Sequence, residues 1–496
     1  MTRVACTLLF LAAACGPGAV EGPPPPPPPP RGAASTTVDA GPPAAADALG
    51  PRPTVGEPAP FVPPVPASWK HSSGVTIWLL ERHSLPIVSF QLVIPGGAKW
   101  EKKHGVAWAT ANMLDEGAGT RGALEISRDL DRLGATLQTG AVSDYSFAQL
   151  SVLKKNLKDA SAIFSDVVAK PTFSTTEWAR VQNLWVNDLK QRASDPAAVA
   201  KVVLQRKVFG EGDAYSIPVN GLASTAPKVT LADLKAHYAD EWIPQHATCV
   251  VVGDVTRADL DPILDATFGP WKNPAKSGGG GRSAHRLKGR RVYLVDRPDA
   301  PQSVIAVGRM GVSGKSPQAP PLVRINSILG GSFTSRLNQD LREEHGWSYG
   351  ASSRFSWNES QGIFSAQASV ITEHTGEALK AMLADIEKLQ KDGPTDEEVA
   401  KSRLLARADL VESFEGVEST AARLARNAGI EASADHETKA AEAAARATKS
   451  DLVSLAHEFL DLSNAVVVVV GPKAKVQPQL EAIGITQFDT TGPEGE

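Results

Sequence analysis

The chain has 496 residues, with 51 Lys and Arg against 55 Asp and Glu, a formal net charge of -4 and 42% hydrophobic residues. So small a charge imbalance offers nothing to a nucleic-acid partner, and the length allows more than one core. Of three cysteines, Cys6 and Cys15 lie at the start and Cys249 stands alone in an apolar run, so no disulfide framework is expected.

The first residues, MTRVACTLLFLAAACGPG, combine one Arg, an apolar run over 4–14 and then Cys15. That run is too short to span a bilayer and reads as a secretory leader, residues 1–15. Leu11-Ala-Ala-Ala-Cys15 is similar to a bacterial lipobox, although its Leu stands four residues before the Cys rather than three. The similarity implies lipidation at Cys15, and Gly16 after it implies an outer-membrane lipoprotein facing the periplasm. The alternative is an ordinary signal peptide cleaved nearby. No other apolar run is long enough to cross a membrane, so membrane attachment is expected through the lipid anchor only.

Residues 16–66 read as a disordered Pro/Ala-rich tether. Its proline run, 23–30, favours extended polyproline II at about 3.1 Å per residue, roughly 25 Å in all. Beyond it, β-branched and apolar segments predict strands at 76–80, 87–94, 136–142, 145–153 and 248–253, with Asp144 in a hairpin turn. Helices are expected at 105–116, 123–133, 156–168, 175–193, 196–209 and 231–240. Ser174-x-x-Glu177 and Thr395-x-x-Glu398 are capping-box patterns at helix starts.

The second half repeats the first at offsets of about 215 to 223 residues. The segment 75–81 (VTIWLLE) matches 291–296 (RVYLVD), and Pro171-Thr-Phe-Ser matches Pro394-Thr-Asp-Glu. Thr230-Leu-Ala-Asp-Leu matches 449–452 (KSDL), and Val250-Val-Val-Gly matches Val468-Val-Val-Gly. Strands, then helices, then one returning strand indicate an α+β fold: two tandem homologous α/β domains, each a mostly antiparallel sheet packed with helices. The expected division is 67–275, a Gly-rich linker at 276–288 and 289–486, with a disordered tail at 487–496.

Two motifs carry chemistry. Residues 105–121 read GVAWATANMLDEGAGTR. The segment resembles the zinc helix of the insulinase/pitrilysin-like metallopeptidases, of mitochondrial-processing-peptidase type, whose pattern is close to G-L-A-H-x-x-E-H-M-L-x-x-G-T. In such a helix two His bind Zn and the Glu activates its water. The resemblance places the first His at Trp108, the Glu at Ala111 and the second His at Asn112, with a later Glu ligand at Asp188. Trp and Ala offer no ligand, Asn is a poor one, and a lone carboxylate does not hold Zn. None of the ten His forms a pair three to five residues apart. A displaced site using Asp188, Asp115 or Glu116 would therefore lack imidazole.

Residues 328–337 (ILGGSFTSRL) and 340–350 (DLREEHGWSYG) form the second motif. It resembles the same family's C-terminal signature, L-G-G-x-x-x-S-R-L-x-x-x-L-R-E-x-x-G-x-x-Y. The resemblance implies that Arg342 and Tyr349 hold substrate. Gly330 and Gly331 either end a helix, where Gly tolerates positive φ, or leave the backbone open to a peptide. It further implies a non-catalytic subunit of a heterodimeric peptidase. This chain would carry no cofactor, and zinc would sit on an H-x-x-E-H partner. The substrate would be a peptide or unfolded protein. A proteolytically inactive peptide-binding or scaffold lipoprotein is the rival expectation.

Overall fold

The computed structural model describes residues 59–274 and 287–496. The leader with Cys15, most of the tether and linker residues 276–286 lie outside the described residues. The first sheet contains β1 (Ala67–Lys70), β2 (Thr76–Glu81), β3 (Ile87–Pro95), β6 (Thr136–Ala141), β7 (Tyr145–Leu153) and β8 (Thr248–Gly253). A small hairpin of β4 (Gly117–Ala118) and β5 (Arg121–Gly122) stands apart. The helices of this half are α1 (Val106–Ala111), α2 (Ala123–Leu133), α3 (Leu157–Ala169), α4 (Thr175–Arg192), α5 (Pro196–Phe209), α6 (Leu231–Glu241) and α7 (Arg257–Phe268).

The second sheet contains β9 (Arg291–Asp296), β10 (Gln302–Gly311), β11 (Ser348–Trp357), β12 (Gly362–Ile371), β13 (Val466–Gly471) and β14 (Asp489–Thr490). Its helices are α8 (Ala319–Leu329), a short turn α9 (Arg336–Asn338), α10 (Thr375–Asp392), α11 (Asp396–Ser413), α12 (Val417–Gly429), α13 (His436–Arg446), α14 (Lys449–Phe459) and α15 (Lys473–Ala482). The strand orders are β1-β2-β8-β3-β7-β6 and β11-β12-β10-β13-β9-β14, one layout of five strands twice, with an added outer strand that is antiparallel in the first (β1) and parallel in the second (β14). In each sheet the returning strand pairs parallel with the first of the repeat, β8 with β2 and β13 with β9, and antiparallel with the next, β3 or β10. Two tandem domains of this α+β layout are what the repeat predicted.

The returning strands explain their own sequences. TCVVVG and VVVVVG lack the alternation of a half-buried strand because helices cover both faces. One face of each sheet packs on helices of its own domain. The other takes a helix from the opposite half. Val199, Ala200, Val203 and Leu204 of α5 pack on Val304, Val468 and Val470 of the second sheet. Reciprocally, Val417, Ala421, Leu424 and Ala428 of α12 pack on Trp78, Val93, Val250 and Val252 of the first. The exchange makes residues from Val62 onward one compact unit.

Polar groups finish the seam. Asp144, expected as a turn residue, is buried, accepts from Tyr215 Oη at 2.7 Å and from Glu359 N at 2.9 Å, and lies 3.6 Å from Lys99 Nζ. Burial pushes its carboxyl upward, against the pull of Tyr215 and Lys99.

Several expectations need correction. The tail is ordered because β9 needs a neighbour: Asp489 and Thr490 pair with Tyr293 and Leu294, and Glu494 accepts from Ser224 Oγ at 2.6 Å. The tether does not run loose to residue 66, since Pro63 and Pro66 are buried and Thr438 Oγ1 donates to Pro63 O at 3.1 Å. The helix expected over 105–116 stops at Ala111, and α7 and β1 were not anticipated. Thr395 and Glu398 form their capping box, whereas Ser174 makes no side-chain cap and Glu177 binds Arg180 instead. Among the described residues no helix is long and apolar enough to cross a membrane.

Candidate functional site

At the start of α1, Gly105 has φ 90, and a Cβ there would stand 2.5 Å from Trp185 Cζ2. Glycine is required because α4 lays the Trp185 ring directly on the turn. Buried Glu101 accepts from Gly105 N at 2.9 Å and Ala107 N at 3.1 Å, placing an acid at the helix N-terminus. Burial raises its pKa, opposed by His104 and these two amides.

Trp108, half-buried, packs on Trp185 at a tilt with centroids 5.4 Å apart, and Trp185 meets Trp178 at 6.4 Å. The ring cluster takes the volume that a metal and imidazoles would need. Ala111 is 0% exposed. Asn112 stands at the end of the helix, its side-chain amide and its backbone N–H both donating to Trp108 O, at 2.8 and 3.0 Å. Asp188 is exposed and has no ion-pair partner among the described residues. The four positions do not fit a zinc ion: one carboxylate and one committed amide are the whole donor set.

The acids beside this helix do not replace it. Glu116 pairs with Arg180, and Asp115 is half-buried with only a long 3.5 Å contact from Thr139 Oγ1. Burial and the neighbouring Glu116 push the Asp115 carboxyl up to about 6. Among the described residues the group of His and acids close enough to share an ion is elsewhere: Asp340, Glu344 and His345, within 4.8 Å of one another. A π-turn over Gln339–Glu344 brings 340 and 345 to one side, a spacing missed by a search for His pairs. His345 Nε2 lies 3.1 Å from Asp340 Oδ1, and its ring stacks on Trp347 at 3.9 Å.

That turn carries Arg342. Its guanidinium lies 4.4 Å from the Phe333 ring centroid, and its Nε lies 3.3 Å from Glu343. Tyr349, at the start of β11, is 89% exposed. Arg342 and Tyr349 share no hydrogen bond among the described residues, so the structure presents both without joining them. Gly330 has φ -157, outside the region that favours glycine. A Cβ there would stand 2.5 Å from Ser353 N, and one on Gly331 would stand 2.4 Å from Asn326 Nδ2. Positive φ is thus not the reason for the pair. Buried Gly330 lets the end of α8 meet β11, with Ser353 N donating to Gly330 O at 3.1 Å, whereas Gly331 remains exposed. Phe333, 64% exposed, escaped the sequence reading because it occupies a variable position of the signature.

The two outer strands differ. Val142 N donates to Tyr145 O at 2.8 Å, which sets the alternation along β6. The backbone groups of Leu137, Thr139 and Ala141 consequently turn away from β7, and no partner takes them among the described residues. On β11 the outward groups are occupied: Ala351 exchanges bonds with the Asn338 amide at 2.9 and 3.0 Å, and Ser353 binds Gly330.

Residues 77–211 match the family described as Insulinase (Peptidase family M16), and residues 228–405 match Peptidase M16 inactive domain. The chain is similar to a Bacillus subtilis protein named "Uncharacterized zinc protease YmxG", 22% identical over 357 residues, covering 72% of this chain and 86% of that one. A Pseudomonas fluorescens structure described as a peptidase M16 inactive domain superposes with a TM-score of 0.77 at 24% identity, covering 82% of this chain and 98% of its own. A chain of complex III from Candida albicans superposes with a TM-score of 0.69 at 15% identity, over 84% of this chain and 99% of its own. At these identities the two structures speak for the fold alone.

Proposed function

The chain belongs to the insulinase family, peptidase family M16, and from that premise we propose that it is the non-catalytic subunit of a heterodimeric peptidase in the bacterial envelope. One observation carries the reading: the zinc-helix positions are filled by Trp108, Ala111 and Asn112, while Arg342 and Tyr349 remain at the surface of an intact signature. A homologous subunit with an H-x-x-E-H helix supplies the metal and general base. This chain supplies grip. Arg342 donates in a forked geometry to peptide carbonyls, and the Tyr349 phenol donates to a developing oxyanion. A lipidated Cys15 holds the pair on the periplasmic side of the outer membrane, and the substrate is an unfolded peptide.

A second reading draws on the free edge of β6, which can accept an extended segment as an added strand. On that reading the chain captures or scaffolds peptides without cleavage. Arg342→Ala separates the two. In the assembled pair it slows peptide cleavage on the order of 10²-fold and leaves zinc content unaltered. Unchanged cleavage would contradict the shared site.

A further inference from the structure

Among the described residues two exposed large hydrophobics are aromatic, Phe333 at 64% and Tyr349 at 89%, and both flank Arg342 in the signature. Many other aromatic rings pack against one another, as Trp108, Trp178 and Trp185 do, or sit in the cores, and Trp100, which meets Lys99, is half-buried. A ring left in water beside an arginine has the composition of a binding hot spot rather than of a solvated face. Phe333 also does not support the fold: it follows the end of α8, belongs to no core cluster, and its recorded ring contact is the Arg342 guanidinium at 4.4 Å.

We infer that Phe333 is a specificity-determining residue of the Arg342 site, forming the floor of a subsite for a large apolar side chain of the bound peptide. The inference rests on the substrate-gripping role proposed for Arg342. Glu343 meets Arg342 at Nε, and among the described residues no hydrogen bond takes Nη1 or Nη2, so that edge of the guanidinium beside Phe333 is left to donate to a peptide carbonyl. A peptide held by that edge lays a neighbouring side chain over the rest of the Phe333 ring. An aliphatic or aromatic side chain removes apolar surface from water on both partners. A serine or lysine gains nothing there. Discrimination between a leucine and a serine at one position of such a pocket is expected at about 10-fold, the lower end for a hydrophobic subsite.

The test uses the full chain and two fluorescein-labelled unstructured ten-residue peptides that differ only by Leu or Ser at one central position, with affinity read by anisotropy. The wild type should bind the Leu peptide about 10-fold more tightly. Phe333→Ala should bring the ratio near one, and Phe333→Leu should restore it. If Phe333 merely propped Arg342, Phe333→Ala would weaken both peptides alike and keep the ratio, which overturns the inference. Arg342→Ala should weaken both peptides and preserve the ratio. Equal binding of both peptides by the wild type also overturns the inference, while an Arg342→Ala protein that binds both as well as the wild type removes the reading beneath it.

Discussion

The two sheets of this protein have one five-strand order and opposite fates at their outer edges. β6 ends the first sheet with the backbone of Leu137, Thr139 and Ala141 unpaired, whereas β11 ends the second with its outward groups taken by Asn338 and Gly330. Beside the open edge lies α1, its ligand positions replaced by a tryptophan cluster and a buried alanine. Beside the closed edge lies the Arg342 turn, with its aromatic ring and tyrosine still exposed. The first half thus leaves a strand edge open beside α1, and the second closes its edge beside the Arg342 turn.

Three changes test that contrast. Restoring the acid of the zinc motif should be the most damaging: Ala111→Glu puts an unpaired carboxylate at a fully buried position and should cost about 3–5 kcal/mol. Urea unfolding would show it, and a stability within about 1 kcal/mol of wild type would mean that the α1 site is still open. Proline substitutions then compare the edges directly. Ser353→Pro removes the bond to Gly330 O and should cost about 3 kcal/mol, whereas Thr139→Pro takes away an outward N–H and should cost under about 1 kcal/mol. Equal losses would erase the distinction between the edges.

Between the two proline costs in size is the effect expected at Asp115. Its folded carboxyl stands at about 6 against an ordinary 3.8. A raised acid contributes stability that is complete below its unfolded value and lost as pH rises through its folded value. Asp115→Asn should therefore match the wild type near pH 3.5 and exceed it at pH 7.5 by about 1–2 kcal/mol, after discounting for partial exposure. Parallel stability curves across that range would remove the burial argument at this carboxyl.

Much of this was legible in the residues. β-branched and apolar segments and the internal repeat marked β2, β3, β7 and β8, and the Arg342 signature located the second motif without any structure. Other features were hidden for physical reasons. The helix expected over 196–209 did not say which sheet it meets, and α12 was not anticipated, so the exchange between halves could not be foreseen. Asn112 looked like a failed ligand and proved to stand at the end of α1 with its side-chain amide committed to Trp108 O. The tail was expected to be disordered, yet Asp489 and Thr490 pair along the β9 edge and Glu494 reaches Ser224. Gly330 suggested positive φ and instead permits close approach of Ser353. In each case a tertiary neighbour far along the chain decided the outcome.

The most direct measurement is zinc content together with peptide hydrolysis, on the purified soluble form from residue 60 onward, alone and mixed with a co-encoded H-x-x-E-H homologue. The account predicts neither zinc nor cleavage from this chain alone, and both from the mixture. Stoichiometric zinc with cleavage by this chain alone would contradict it.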